Sequence, residues 1–270
     1  MTDQMTHPPP LKVRPVGPGD RPRVICALML REMATSHGRS PGGYLWAVLE
    51  PVAGIALLSW IFSMAFRSPG LGVTFPLFYA TGMLPFGMFT LLVSRIAGAL
   101  DFSRPLLALP RVGWREAIVA RFVLNLMTQL MISYILLAGI LWIFRTRAIL
   151  DFGAIVEAYS LCALLALGLG TLNCLLQGMI GIWVHLWSIL MRPMFIISTI
   201  FFLFESVPQP WRDWLWWNPM VHVIAILRRG VYPSYDASWA SPAYVALIGL
   251  ISLAFGLLFL RRHYREILRR

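Results

Sequence analysis

Arg121, Asn125, Gln129 and Ser133 place a guanidinium, two amides and a hydroxyl at intervals of four in an otherwise apolar run. On a helix each such step advances about 6 Å and drifts only about 40°, so the spacing predicts one polar stripe that starts cationic and continues with hydrogen-bonding groups. A stripe of this kind suits a conduit for a hydroxyl-rich or anionic ligand. Arg grips carboxylates and phosphates in a bidentate fork, and its charge does not titrate away. The plainer alternatives are hydrogen bonding between helices for the amides, at about 0.6 kcal/mol per bond, and headgroup snorkelling for the arginines. Arg95 closes a neighbouring apolar run, and Arg192 lies four residues after Ser188; both extend the candidate conduit, and Asn173 with Gln177 makes a shorter pair. Glu50, next to Pro51, reads as one half of an ion pair with Arg39 or with an arginine of another helix, rather than as a proton relay.

Other chemistry is excluded by what the chain lacks. It contains no GxxxxGK[ST], GxSxG or HExxH pattern, and its one lysine is Lys12, so no phosphate-cradling lysine lies beyond that point. His185 and His222 have no second ligand at useful spacing, so no metal site is expected. Cys26, Cys162 and Cys174 show neither metal nor disulfide spacing and read as small buried apolar side chains.

The elements that must carry these residues follow from composition. Hydrophobic residues make up 58% of the 270 and charged residues 13%, against roughly a quarter charged in soluble domains. The net charge of +11 punctuates apolar runs instead of forming a basic face, which argues for a membrane and against nucleic acid. A spanning helix needs about 20 apolar residues. Six runs qualify: Tyr44 to Phe66, Phe75 to Leu100, Ala117 to Phe144, Ile155 to Val184, Leu186 to Phe204 and Ala243 to Leu260, with a tight turn expected around His185. The expected fold is therefore all-α and integral to the membrane, with six transmembrane helices across 40–260.

Residues 1–20 are rich in proline and polar groups and read as a cytoplasmic tail without a cleavable signal. Residues 21–39 mix apolar and charged positions, as in an amphipathic helix lying at the membrane interface. Placing both termini in the cytoplasm puts 17 of the 23 basic residues on the inner side, as the positive-inside rule demands, with 261–270 as a basic tail. In the inner loop 101–116, Pro105 and Pro110 bracket a short apolar stretch that predicts a brief docking helix. On the outer side, 205–242 holds five tryptophans suited to the headgroup level and the helix-starting break Asn218-Pro219, which predicts a hairpin dipping into the outer leaflet. Gly168, Gly170, Gly178 and Gly181 predict close helix packing.

The stretches Leu30 to Pro51 (LREMATSHGRSPGGYLWAVLEP), Gly82 to Phe89 (GMLPFGMF) and Trp216 to Tyr235 (WWNPMVHVIAILRRGVYPSY) resemble the ABC-2 permeases that export capsular polysaccharide, the KpsM type. The likeness runs from about Leu28 to the last span, and the glutamate of YLWAVLEP favours capsule over the related O-antigen exporters; O-antigen or teichoic-acid export is the nearest alternative. The resemblance implies a homodimer in the bacterial inner membrane that moves a lipid-linked, acidic polysaccharide to the periplasm. It implies two copies of a cytoplasmic ATPase that bind the ATP and magnesium, so that this chain is no enzyme by itself, and also periplasmic co-polymerase and outer-membrane partners. In the family the loop after the second span carries the coupling helix, which corresponds to Asp101, Phe102, Ser103, Arg104, Leu106 and Leu107. The re-entrant hairpin corresponds to the region of Trp216, Trp217, Asn218, Pro219 and His222. One departure is visible: VIAILRR follows His222 where relatives carry an acid at Ala225 or Ile226. A polytopic sugar-lipid transferase is a distant alternative. It would need clustered acids on an inner loop, and 101–116 offers only Asp101 and Glu116.

Overall fold

A computed structural model describes residues 21–36, 43–107, 112–146 and 149–269. Among these the chain is helical, without strands: α1 (Arg21–Ser36), α2 (Gly43–Ala65), α3 (Phe75–Ala97), α4 (Ala99–Leu107), α5 (Trp114–Ile143), α6 (Phe152–Met179), α7 (Trp183–Ile197), α8 (Trp211–Trp216), α9 (Pro219–Val231) and α10 (Pro242–Arg269). Local chemistry sets several boundaries. Asp151 caps α6, its Oδ1 accepting from the N–H groups of Gly153 and Ala154 at 2.9 and 3.2 Å. Asn218 caps α9 through Met220 N–H at 3.0 Å, and Pro219 supplies the preset first turn. Between Trp114 and Ile143 there is no proline, and α5 runs unbroken for 30 residues.

The core is built on α3, α6, α9 and α10. Where α6 crosses α10, backbone meets backbone: a side chain on Gly168 would strike the backbone of Gly249, and one on Gly256 would strike Thr171 and Leu172. This is the close approach that small residues permit where dispersion, not water, drives packing. On its other face α6 sets Gly170 against Ile96 of α3. By contrast α7 buries no residue, and α2 leaves Leu45, Trp46, Leu57, Trp60 and Met64 exposed.

Five helices are long and apolar enough to cross a membrane: Leu45–Ala65, Phe75–Leu107 (α3 and α4 together), Trp114–Ile143, Phe152–Met179 and Pro242–Arg269. The expected fifth run does not form one helix. Its helix, α7, has 15 residues, about 22 Å against the roughly 30 Å of a hydrocarbon core. After it the backbone leaves helical geometry at Ser198 and Thr199, whose φ of 59° a β-branched residue seldom adopts.

Four smaller corrections follow. The turn expected at His185 falls at Ile180–Ile182, where the α6 C-terminus leaves helical φ/ψ, so His185 lies inside α7. The short helix of the 101–116 loop starts at Ala99 and contains Pro105 in its last turns, rather than lying between the two prolines; 108–111 are outside the described residues. The basic end is no separate tail, because α10 continues to Arg269 with Ile267 buried against Gly178. Cys26 is exposed, whereas Cys162 and Cys174 are buried. The tail 1–20 and Arg39 also lie outside the described residues.

Candidate functional site

The four polar residues spaced along α5 meet different surroundings. Arg121 is buried: its Nε donates to Glu32 Oε1 of α1 at 3.0 Å, its Nη1 donates to the Arg95 carbonyl at the end of α3 at 2.9 Å, and its guanidinium lies 4.3 Å over the Phe102 ring of α4. Asn125 joins the same node, its Nδ2 donating to the Arg121 carbonyl at 2.7 Å and reaching Glu32 Oε1 at 3.4 Å. One arginine thus ties four helices together. Gln129 instead faces a groove, and buried Ser133 lines a separate apolar crevice with Tyr159. The drift of about 40° per step accumulates to about 120° over twelve residues, enough to turn the ends of the stripe toward different neighbours.

The groove has a volume of about 910 Å³ and lies between α2, α3, α5 and the end of α7. Arg95, Asn125 and Gln129 line it together with Glu50, Thr90, Thr128 and Trp46. A carboxylate on α2 and a guanidinium on α3 thus share one groove with amides, hydroxyls and an indole. Glu50 has no ion-pair partner among the described residues. Arg192, on the exposed surface of α7, does not line the groove. Asn173 accepts from Trp183 Nε1 at 2.9 Å, which fastens the start of α7 to α6 and bears out the reading of that amide as a bond between helices.

At the end of the bundle that holds α1, Phe102 sits under two guanidinia, those of Arg121 and Arg31, the latter at 5.2 Å. Arg104 Nη2 donates to the Ile267 carbonyl of α10 at 3.2 Å. Asp101, Arg104 and Pro105 are exposed, Leu106 and Leu107 are half-buried, and Ser103 is buried. The exposed edge of this helix is therefore Asp101, Arg104 and Pro105.

At the opposite end α8 and α9 form a helical pair joined at Trp217 and Asn218, and α9 is buried along almost its whole length. His222 is held at both ring nitrogens: Ser241 N–H donates to Nδ1 at 3.1 Å, and Nε2 lies 2.7 Å from the Trp216 carbonyl, to which it donates. The ring is therefore neutral, and burial draws its pKa below the ordinary histidine value. Asn218 also donates from Nδ2 to Ser198 Oγ at 3.0 Å.

Arg228 is fully buried, with its guanidinium 4.3 Å over the Phe78 ring of α3. Its Nη1 and Nη2 donate to the carbonyls of Phe202 and Ile200 at 3.1 and 3.2 Å. These carbonyls belong to the irregular stretch after α7, so Arg228 satisfies a backbone that no helix satisfies. Glu205 accepts from Tyr235 Oη at 2.9 Å and from Trp239 Nε1 at 2.6 Å. Burial and the neighbouring carboxylate push the Tyr235 hydroxyl pKa up, so it stays a donor.

Sequence reasoning missed Glu32, Arg228 and Glu205. Glu32 did leave a trace, as the only acid in α1. Nothing in the sequence separates Arg228 from the half-exposed Arg229 beside it, which pairs with Glu157 at 2.8 Å. Among the described residues no group of three or more His, Cys, Asp or Glu could hold a metal ion.

The sequence pattern of the ABC-2 type transporter family matches residues 23–232. Among curated proteins, the polysialic acid transport protein KpsM of Escherichia coli is 33% identical over 87% of this chain and 91% of its own length. The capsule polysaccharide export inner-membrane protein CtrC of Neisseria meningitidis serogroup B is 28% identical over 87% and 89%, and BexB of Haemophilus influenzae, which carries the same description, is 25% identical over 91% and 92%. A match that runs from α1 through α9, with relatives aligned along about nine tenths of their own lengths, places the chain in the ABC-2 type transporter family.

Proposed function

We propose that the chain is the inner-membrane permease subunit of an ATP-driven exporter of capsular polysaccharide. The observation that carries this reading is the near full-length alignment with relatives named for polysialic acid transport and capsule polysaccharide export. Six crossings complete the topology, with α7 and the irregular segment behind it together making the fifth. Both termini are then cytoplasmic, α1 lies at the inner interface, and α8 with α9 dips into the outer leaflet. Two copies face each other, which leaves α2 and the bare surface of α7 to be covered by the second copy or by lipid.

Energy enters through two copies of a separate ATPase, which hold ATP and magnesium and dock against α1 and the exposed edge of α4. The lipid-linked, acidic glycan moves along the groove. Arg95 attracts its carboxylates or its lipid phosphate, and Asn125, Gln129, Thr90 and Thr128 exchange hydrogen bonds with its hydroxyls. Arg121 serves the route indirectly by holding α1, α3, α4 and α5 in register.

Three experiments test this. Deleting the chain removes glycan from the cell surface and leaves it lipid-linked inside, and an ATPase copurifies with the intact chain; surface glycan that survives deletion refutes the reading. Arg95→Ala and Gln129→Ala each slow export while inserting at wild-type levels, and a double variant that exports at the wild-type rate removes the groove as the route.

A further inference from the structure

We propose that a second glycan-binding site lies outside the groove, in the cleft between α8, the turn at Phe204–Ser206 and Trp239, and that it holds one sugar unit of the chain as it leaves the membrane. The inference rests on the proposed function for the identity of the cargo and for the side on which this cleft opens.

The cleft encloses about 520 Å³, within the roughly 300–1,000 Å³ typical of small-ligand sites. One wall is the stacked pair Phe204 and Trp239, with ring centroids 3.8 Å apart. Trp216, packed at 4.9 Å against Tyr244, and Trp217, edge-on to it, line the cleft as well. The negative face of an indole attracts the polarised C–H groups of a pyranose ring. Glu205, Gln209, Arg212 and Asp213 complete the lining.

Their bonds leave capacity for a ligand. Gln209 Nε2 donates to Asp213 Oδ1 at 3.0 Å, and Glu205 Oε1 takes both Tyr235 and Trp239. The second oxygen of each carboxylate and the Gln209 carbonyl accept from no described residue, and the Arg212 guanidinium has no ion pair among them. Free acceptors beside one cation match a hydroxyl-rich ring. The two carboxylates against one guanidinium disfavour a phosphate headgroup, the other ligand expected at this depth, and equally a sugar carboxylate, so the unit held is an uncharged one of the chain. The stacked wall is also set in advance, because Trp239 is pinned through Nε1 to Glu205, so little ordering opposes binding. Trp211 and Trp214, which are exposed and do not line the cleft, are the residues suited to anchoring in headgroups.

The test uses the purified full-length chain in detergent, without ATPase, and oligosaccharides released by mild acid from the surface glycan that disappears on deletion of the chain. Binding followed by ligand-observed NMR is expected to saturate. It weakens at least tenfold in Gln209→Ala/Asp213→Ala, is unchanged in Trp214→Phe, and is not competed by phosphoethanolamine. Oligosaccharides that fail to bind, that bind the double variant as well as the wild type, or that phosphoethanolamine displaces overturn the site while leaving the export function standing. If deletion removes no surface glycan, the export function itself falls.

Discussion

Replacing Arg121 by methionine removes the cation from the buried node that fastens α1 to α3, α4 and α5, leaving the more exposed Arg21–Glu116 pair and the Arg31–Phe102 contact. The guanidinium and the Glu32 carboxylate are 3.0 Å apart and almost wholly buried, with side-chain exposures of 7% and 3%. At an effective dielectric of about 20, two unit charges at this distance attract by about 5 kcal/mol before desolvation is counted. Desolvation offsets much of that for the intact pair, but not for a survivor: a buried charge stripped of its partner costs about 3–5 kcal/mol. In Arg121→Met the Glu32 carboxylate keeps only Asn125, at 3.4 Å. The cheapest relief is for α1 to swing away and hydrate it. A shift of about 3 kcal/mol in local opening corresponds to roughly two orders of magnitude in population, so hydrogen exchange of the amides of Arg21–Ser36 should quicken by about 100-fold. Exchange in the Gly168–Gly249 region stays as in the wild type. Glu32→Leu/Arg121→Leu removes both charges and opens α1 less than either single variant does, because apolar replacement of a buried pair is near neutral. Wild-type exchange of α1 in Arg121→Met refutes the node as its anchor, and a double variant worse than both singles refutes the electrostatic account of it.

Arg228→Met leaves the Ile200 and Phe202 carbonyls without donors, at about 1.5–3 kcal/mol for each bond to a charged group, and lowers the melting temperature of the purified chain. Lysine in its place does not restore it, since an ammonium cannot both fork to two carbonyls and lie flat on Phe78. Gly249→Val drives a branched side chain into the backbone of Leu164 and abolishes the monodisperse peak in size exclusion, whereas Gly139→Ala, with nothing within 4 Å, leaves it intact. His222 is held neutral with a lowered pKa, so its contribution is complete above the unfolded value of about 6.5 and is lost as pH falls below it. Exchange in Pro219–Val231 rises on acidification through that window, and His222→Gln flattens the response.

The spans α2, α3, α5, α6 and α10 were legible because a run of about 20 apolar residues leaves a chain in lipid little choice but helix. The α5 stripe was legible as well, since spacing by four needs only helical geometry. What each member of the stripe touches was not, because partners such as Glu32 and Phe102 come from elements whose packing no local pattern encodes. The break after α7 was hidden for the same reason. Ser198 to Phe204 is as apolar as the helix before it, and its irregular backbone is tolerated because Arg228 and Asn218, some 20 to 30 residues away, supply the missing donors.

The near-continuity of α3 and α4 makes the two buried arginines parts of one device. From Phe75 to Leu107 the chain is helical apart from Gly98, which leaves helical geometry while its N–H still bonds back to the Ser94 carbonyl. Arg121 rests on Phe102 near one tip and Arg228 on Phe78 near the other. One run of chain thus carries the aromatic seats of both buried arginines, the anchor of α1 at one end and the clamp on the broken backbone behind α7 at the other.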